Sequence, residues 1–164
     1  MTGPQRARPL GVKSGDEVSD LDKRILEHLQ EDGRKPFTQI AAELGVSEAA
    51  VRARTNRLVE RGIVQIVGVT DPLRLGFHQM AMIGVRCERN KLVEVADQIA
   101  LLPEVDYVVI TAGTFDILIE IACEDNAALL VFLNDRLRAI EGVRDTETFV
   151  YLRMVKQTYQ WGTR

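Results

Sequence analysis

Apolar residues recur at helical spacing in the first part of the chain, which predicts short amphipathic helices there. Residues 21–30 carry one such stripe, and residues 37–63 carry two that are separated by a tight turn. Within the second segment, Gly45 ends one helix, Ser47 can cap the next, and Gly62 ends that one. The pattern therefore predicts a three-helix unit whose last two helices form a helix-turn-helix.

A connector rich in turn-forming residues, 70–76, follows a short predicted strand at 63–69. Beyond the connector the period changes, and the pattern predicts strand, helix, strand, strand, helix and strand in that order. These elements are 79–87, 90–100, 105–111, 115–122, 125–140 and 143–152. Asn90 is the predicted cap of the first of these helices, and Asp125 or Asn126 starts the second. This order is the split βαβ arrangement of ferredoxin-like sandwiches.

The predicted sheet has one face that its own helices cannot cover, because two helices cover only one side of four strands. That second face is partly apolar, since Leu118 alternates with Asp116 and Glu120 in the third strand. A monomer rarely leaves such a face in water, so the sequence predicts a homodimer that forms through the sheets.

Composition is that of a globular protein, with 164 residues of which 46% are hydrophobic. The apolar runs are short and interrupted by charge, so we expect no membrane span. The first residues contain two arginines but no apolar core, which argues against a secretory signal, and their Pro, Gly and Arg content predicts a flexible tail. We therefore expect a cytoplasmic protein.

The net charge of −3 argues against broad electrostatic binding of nucleic acid, but the charges are unevenly distributed. Residues 1–70 hold 11 Lys and Arg against 10 Asp and Glu, whereas residues 71–164 hold 10 against 14. A small basic cluster in a nearly neutral half favours a specific, shape-complementary contact with double-stranded DNA, made by an oligomer.

The sequence offers little for catalysis, metal binding or a cofactor. Cys87 and Cys123 lie in predicted strands without Cys-x-x-Cys spacing, so we expect buried thiols and no zinc site. The two histidines, His28 and His78, lie in different predicted domains, and there is no nucleophile–base pair or phosphate-binding glycine loop. We expect a protein that is not an enzyme.

The second helix of the helix-turn-helix carries the side chains expected to read DNA. Its first turns place five residues near the base edges: Ser47, Glu48, Ala49, Ala50 and Arg52. An arginine there can make a bidentate contact to guanine, a glutamate can accept from cytosine, and an alanine can meet a thymine methyl group. Ser47 more naturally caps the helix and offers its amide to a phosphate.

Further arginines are predicted to contact the phosphate backbone: Arg54, Arg57 and Arg61 on the same helix, and Arg34 in the turn before the helix-turn-helix. The alternative is that the arginines of the helix form only a solvated charged face with Glu48 and Glu60.

Five pieces of the chain together carry a family resemblance. They are Asp20 to Arg34, Ile40 to Ser47, Val51-x-x-Arg54-x-x-Arg57-Leu58-x-x-x-Gly62-Ile63, Gly113-x-x-Asp116, and Gly142-Val143-x-x-Thr146-x-Thr148. In this order, over residues 19–160, the chain resembles the leucine-responsive regulatory protein / asparagine regulator (Lrp/AsnC) family.

The resemblance implies a prokaryotic transcription regulator that dimerises through its C-terminal domain and assembles further into tetramers or octamers. It also implies a small effector, an amino acid or related metabolite, bound between adjacent dimers. The effector contacts would come from Gly113, Thr114, Phe115 and Asp116, with Phe149, Val150 and Tyr151 close to the pocket. Thr114 departs from the family, in which many members carry an acidic residue at that position.

An amino-acid effector needs a partner for its ammonium group and donors for its carboxylate. Asp116 can supply the first, and backbone amides around Gly113 and Thr114 the second. Two plainer interpretations stay open. Gly113 serves to permit a positive φ in a hairpin, or Asp116 supports the turn or pairs across an interface.

These observations predict an α+β protein with an N-terminal (winged) helix-turn-helix domain and a C-terminal ferredoxin-like βαββαβ sandwich. The predicted division is a flexible tail at 1–18, the DNA-binding domain at 19–69, a linker at 70–78, the effector-binding and oligomerisation domain at 79–155, and a tail at 156–164. The predicted function is that of a sequence-specific DNA-binding regulator whose assembly or DNA affinity responds to the effector. The alternatives are a non-sensing architectural DNA-binding oligomer and a metabolite-binding protein or enzyme of the ferredoxin-like fold.

Overall fold

The computed structural model describes residues 18–158, so the predicted tails lie wholly or partly outside the described residues. The chain divides into two compact units. In the described part, the N-terminal unit consists of residues 18–69 with 156–158, and the C-terminal unit is Thr70–Val155.

Three helices form the N-terminal unit: α1 (Asp20–Glu31), α2 (Phe37–Leu44) and α3 (Glu48–Glu60). Ser19 caps α1 in a capping box with Asp22. Ser47 caps α3 as predicted, since its hydroxyl accepts from the backbone N–H of Ala50 at 3.2 Å. Gly45 has a φ of 67° at the end of α2, a conformation that costs glycine little. A small apolar core joins the helices: Ile25, Leu29, Ile40, Ala41 and Val51.

The predicted strand at 63–69 is wrong, because this segment is irregular. The described part of the N-terminal unit contains no other strand with which it could pair. A strand without a ladder partner leaves its backbone N–H and C=O groups without the hydrogen bonds that define a sheet.

The C-terminal unit has the predicted order of four strands and two helices, preceded by one 3₁₀ turn (Pro72–Leu75). Its elements are β1 (Gln79–Cys87), α4 (Leu92–Ile99), β2 (Val105–Ile110), β3 (Ile117–Cys123), α5 (Asn126–Val131) with a π-helical continuation (Phe132–Leu137), and β4 (Val143–Val150). The strands pair antiparallel in the order β2-β3-β1-β4. The ferredoxin-like prediction is confirmed.

Three details of this prediction need correction. Asn90 does not cap α4, because it adopts a φ of 76° in the preceding turn, a left-handed conformation that asparagine tolerates better than most residues. The second helix ends at Leu137 rather than at residue 140, and its last six residues are π-helical. Of the two proposed starts, Asp125 is the cap, since its carboxylate accepts from the backbone N–H of Ala128 at 2.8 Å.

Alternation along the strands separates a covered face of the sheet from an open one. The covered face packs under the helices and includes Ile83, Val85 and the alternating residues Ile117, Ile119 and Ile121, all fully buried. The open face carries the residues between them. Tyr107 and Phe149 on this face are 53% and 45% exposed, and Leu118 is half-buried. Both cysteines, Cys87 and Cys123, are buried free thiols, as the sequence predicts.

No helix in the portion of the chain that the structure describes is both long enough and apolar enough to cross a membrane.

Candidate functional sites

The exposed side of α3 forms a shallow, open depression. It is lined by Glu48, Ala49, Arg52, Ala53 and Asn56. Three of these were predicted as base-contacting residues. Ala53 and Asn56 were not, although their spacing of four and seven residues from Ala49 places them on the same helix face.

Arg52 is already paired within this depression. Its Nη2 lies 2.5 Å from Oε1 of Glu48, one turn earlier on α3, and its guanidinium lies 5.3 Å from the ring centroid of Phe37. Both members of the ion pair are substantially exposed. The pair agrees with the alternative of a solvated charged face in the free protein, and Arg52 would have to exchange Glu48 for guanine to read DNA.

Arg54 points to a different place from the other predicted phosphate contacts. Its Nη1 donates to Oδ1 of Asp22 at 2.9 Å and to Oγ of Ser19 at 3.2 Å, at the beginning of α1. The Asp22 side chain is only 4% exposed. Burial raises the pKa of this carboxyl, but hydrogen bonds from Ser19 and Arg54 outweigh burial and leave the pKa below its ordinary value. The structure thus gives Arg54 a partner inside the unit.

The remaining predicted phosphate contacts lie on the surface. The Arg57 side chain is 53% exposed, with its Nη2 at 3.8 Å from Oδ1 of Asp22, and Arg61 is exposed at the end of α3. Arg34 is exposed in the turn before α2, and its backbone N–H donates to Oδ1 of Asp32 at 2.8 Å. Their roles on DNA stay predictions.

The turn between β2 and β3, residues 111–116, is anchored to β1 by Asp116. The backbone N–H of Asp116 donates to the carbonyl of Val85 at 3.0 Å, and its Oδ2 accepts from the backbone N–H of Cys87 at 2.8 Å. The N–H of Thr111 donates to the Asp116 carbonyl at 2.9 Å and closes the turn. Asp116 therefore supports the turn, which was one of the plainer interpretations.

Gly113 does not have a positive φ, so the suggestion that it permits one in a hairpin is wrong. A Cβ added at this position would meet nothing within 4 Å. Neither the backbone conformation nor the packing of the described residues calls for glycine there.

Phe115 extends from this turn across the open face of the sheet. A Cβ at Gly84 would lie 2.5 Å from Cγ of Phe115, so the ring occupies the space that any larger residue at position 84 would need. The Phe115 ring meets Phe149 edge to face, with centroids 6.1 Å apart and planes at 77°. Sequence reasoning missed Gly84, although a glycine inside a strand often marks a close approach of this kind.

Arg86 connects the same turn to β4. Its guanidinium lies 4.6 Å from the Phe115 ring centroid, its Nε donates to the carbonyl of Thr114 at 3.2 Å, and its Nη1 donates to Asp145 at 2.6 Å. Sequence reasoning also missed Arg86 and Asp145. Arg86 and Thr114 are 28 residues apart along the chain, and Thr114 and Asp145 are 31 apart. Only the register of the sheet could have revealed that they meet.

The predicted pocket residues of β4 do not share one surface. Phe149 pairs opposite Met82 on the open face, whereas Val150 pairs opposite Ala81 on the covered face. Tyr151 reaches Glu120, to which its hydroxyl donates at 2.9 Å. Burial and this carboxylate together raise the pKa of Tyr151 to about 12, so its proton stays in place. The structure brings Phe149 to the 111–116 turn and places Val150 on the other side of the sheet.

A helix-turn-helix unit followed by a ferredoxin-like sheet defines a class of DNA-binding regulators, and comparison with known proteins agrees. An AsnC-type helix-turn-helix domain profile matches residues 18–59, and a Lrp/AsnC ligand binding domain profile matches residues 80–161. The chain belongs to the Lrp/AsnC family and is a DNA-binding transcriptional regulator.

Named relatives and solved structures support this assignment. An uncharacterised HTH-type transcriptional regulator of Pyrococcus furiosus is 39% identical over 143 residues, which are 87% of this chain and 97% of the relative. A transcriptional regulator of Neisseria meningitidis, solved as a complex with L-methionine, is 26% identical with a TM-score of 0.79, covering 87% of this chain and 94% of that one. The Escherichia coli AsnC structure has the same fold, with a TM-score of 0.81 at 24% identity over 88% of this chain and 98% of that one.

Proposed function

We propose that this regulator binds a free amino acid at the 111–116 turn. Binding changes its self-association and, as a result, its affinity for DNA. The observation that carries the proposal is that Phe115 belongs both to the turn and to the open face of the sheet. Its backbone belongs to the turn, while its ring packs over Gly84 and against Phe149 on the open face of the sheet. A ligand that shifts the turn would move a side chain of the surface through which we expect the chains to pair.

Four further facts support a ligand at this turn. The matched ligand-binding profile contains it. The Neisseria relative, similar along its length, was solved with an amino acid. Gly113 is exposed and has open space beside it, which leaves its backbone amide accessible to a carboxylate. One carboxylate oxygen of Asp116 accepts from the backbone N–H of Cys87 on β1, so its second oxygen is the candidate partner for an ammonium group.

A thermal-shift screen of the proteinogenic amino acids tests the proposal. A ligand at about 100 times its Kd stabilises the folded state by about 2.7 kcal/mol, which raises the melting temperature by several degrees. The matched variant is Gly113→Val, because a Cβ added there meets nothing within 4 Å and the variant should leave the unliganded melting temperature nearly unchanged. We expect it to abolish the ligand-induced shift. If no amino acid stabilises the wild-type protein, the non-sensing alternative is favoured.

We also propose a homodimer that forms through the open face and assembles into tetramers or octamers. Leu118 and Phe149 give this face apolar surface at its centre and at the β4 edge. Leu118→Lys should convert the oligomer to monomer in light scattering. Leu130→Lys is the matched control, because Leu130 is 59% exposed on α5, away from the open face, and should leave the mass unchanged. Equal masses for wild type and Leu118→Lys would contradict dimerisation through the sheets.

For DNA, we propose that the α3 depression reads bases and that Arg57, Arg61 and Arg34 hold phosphates. Asn56 joins the predicted set, since an asparagine on this face can contact adenine. The specific DNA for this test is a duplex selected from a random library. Arg52→Ala and Asn56→Ala should weaken binding to this duplex and leave binding to random DNA nearly unchanged. Arg57→Ala should weaken both about equally. Equal losses for all three variants on both kinds of DNA would contradict this division.

The proposed domains are 19–69 for DNA binding, 70–78 as linker and 79–155 for effector binding and oligomerisation; the two compact units support this division. We propose that the protein acts in the cytoplasm without catalysing a reaction, as expected for a regulator of transcription.

A further inference from the structure

One charged side chain in the described residues is almost completely buried, and it lies between α1 and the helix that reads DNA. Asp22, in the first turn of α1, has a side chain that is 4% exposed. Burying a carboxylate is costly unless each oxygen has donors. Neither effector binding nor the proposed base contacts of α3 require a buried charge at this position.

Donors surround both oxygens of this carboxylate. Oδ2 accepts from the backbone N–H of Ser19 at 3.2 Å and from its hydroxyl at 2.7 Å. Oδ1 accepts from Nη1 of Arg54 at 2.9 Å, and Nη2 of Arg57 approaches the same oxygen at 3.8 Å. The pKa of Asp22 lies below its ordinary value, so the group is charged at neutral pH.

The two arginines stand differently toward solvent although both face Asp22. The Arg54 side chain is 32% exposed and donates to both Asp22 and Ser19, so its guanidinium is engaged inside the unit. The Arg57 side chain is 53% exposed and lies at ion-pair distance rather than hydrogen-bond distance from the carboxylate. A guanidinium has five N–H donors, so Arg57 can keep this contact and still bind a phosphate.

We propose that Asp22 is a positioning residue for DNA binding: through Arg54 it fixes α3 against the start of α1, and it orients Arg57 toward the phosphate backbone. In this proposal Arg54 links α3 to the start of α1 and contacts no phosphate. Moving it to DNA would leave the buried carboxylate without its main cationic partner. The proposal replaces the phosphate role that the sequence alone suggested for Arg54.

A matched pair of substitutions separates positioning from simple charge. Asp22→Asn and Asp20→Asn each remove one negative charge from the first turn of α1, and Asp20 is fully exposed. Electrostatics alone predicts that both variants bind the DNA polyanion more tightly. Positioning predicts that Asp22→Asn binds a selected duplex about tenfold more weakly while Asp20→Asn binds as well as wild type or better. Tighter binding by Asp22→Asn would overturn the proposal.

The salt dependence of DNA binding tests whether Arg54 contacts a phosphate. A residue that acts only inside the protein leaves the slope of log K against log salt concentration unchanged. Each phosphate contact contributes about 0.9 to the slope of log K against log salt concentration. Full-length Arg57→Gln should lose about one contact from this slope, whereas Arg54→Gln should bind more weakly at every salt concentration with the slope unchanged. A reduced slope for Arg54→Gln would assign it to a phosphate and overturn the proposal.

The double variant Asp22→Asn/Arg54→Gln keeps the test decisive if Asp22→Asn is unstable. Residues that act through each other give a double variant no weaker than the worse single variant, whereas independent DNA contacts give losses that multiply. We expect the former, measured by fluorescence anisotropy at a temperature where melting curves show every variant folded. Multiplying losses would contradict the proposal.

Discussion

The forces that stabilise the interior of the N-terminal unit differ from those that stabilise the interior of the C-terminal unit. The C-terminal unit has a core of fourteen buried residues, most of them aliphatic, between its helices and one face of the sheet. The N-terminal unit has seven buried apolar residues, five of which form one cluster. There, charged groups supply additional contacts between helices: Asp22 with Arg54, and Lys35 with Glu43 at 2.7 Å and His28 at 3.1 Å.

The difference follows from size. A unit of about 50 residues buries too little apolar surface to be rigid by packing alone. Ion pairs therefore add to the packing between these helices. Their strength depends on charge and on salt, whereas that of the aliphatic core in the C-terminal unit does not. We therefore expect single charges to matter most for the stability of the N-terminal unit, and side-chain volume to matter most for that of the C-terminal unit.

The largest effect is expected in the C-terminal core. Ile119 is fully buried in β3, opposite Ile83 on β1 and Val108 on β2. Ile119→Ala should lower the free energy of unfolding by about 4 kcal/mol, because it removes buried methyl groups and leaves a cavity. Urea denaturation measures this loss. Val93→Ala is the control, since Val93 is 63% exposed on α4 and its truncation should cost less than about 0.5 kcal/mol. Similar losses for both would contradict a core held by packing.

A smaller loss is expected on the open face. Gly84→Ala should destabilise the unit by about 2 kcal/mol, because its Cβ would overlap the Phe115 ring. The double variant Gly84→Ala/Phe115→Ala should recover part of that loss, since the obstructing ring is gone. A single variant as stable as wild type in urea denaturation would show that Phe115 moves freely and carries no signal to this face.

A gain in stability is expected from a substitution of Thr55 on α3. Among the described residues, its side chain carries the one buried hydroxyl without a hydrogen-bond partner. Thr55→Val keeps the shape and removes the unpaired polar atom, so it should stabilise the N-terminal unit by about 1 kcal/mol. Thermal melts measure the gain, and DNA affinity should be unchanged because Thr55 faces inward. Destabilisation would show that the hydroxyl has a function that its surroundings do not reveal.

The smallest effect is expected in acid, in the difference in stability between wild type and a variant of Asp22. The pKa of Asp22 is lower in the folded protein, so its stabilisation is present above the unfolded pKa, near 4, and is lost as pH falls through the folded value. The difference in melting temperature between wild type and Asp22→Asn should therefore shrink below about pH 4. Glu43, whose pKa is lowered by hydrogen bonds from Lys35 and Gln39, titrates in both proteins and cancels. A difference that does not vary with pH would contradict the charged role of Asp22.

The sequence predicted what depends on local periodicity. The stripe of α1, the Ser47 cap and the alternation of Ile117, Ile119 and Ile121 follow from spacing, and the order of elements follows from these. The strand at 63–69 failed because strand formation needs a partner that the local pattern does not show. Asn90 failed because asparagine suits both a helix cap and a left-handed turn.

The candidate sites depend more on contacts between distant residues, and much of their detail was out of reach. Residue type and helix position predicted that Arg54 lies on α3, but its partner Asp22 is 32 residues away. Gly84, Arg86 and Asp145 join the 111–116 turn only through the register of β1 with β3 and β4. A family resemblance pointed to the turn itself, but the atoms that hold it are brought together only by the fold.

The two cysteines of this chain make it convenient for covalent labelling. Burial, reinforced by Asp116 beside Cys87 and by Glu104 and Asp125 near Cys123, raises the pKa of both thiols. Thiols of this kind react poorly with maleimides and iodoacetamides. A cysteine introduced at an exposed position such as Thr114 would then be a single reactive handle, and a fluorophore attached there would report on the turn without removing either native sulfur.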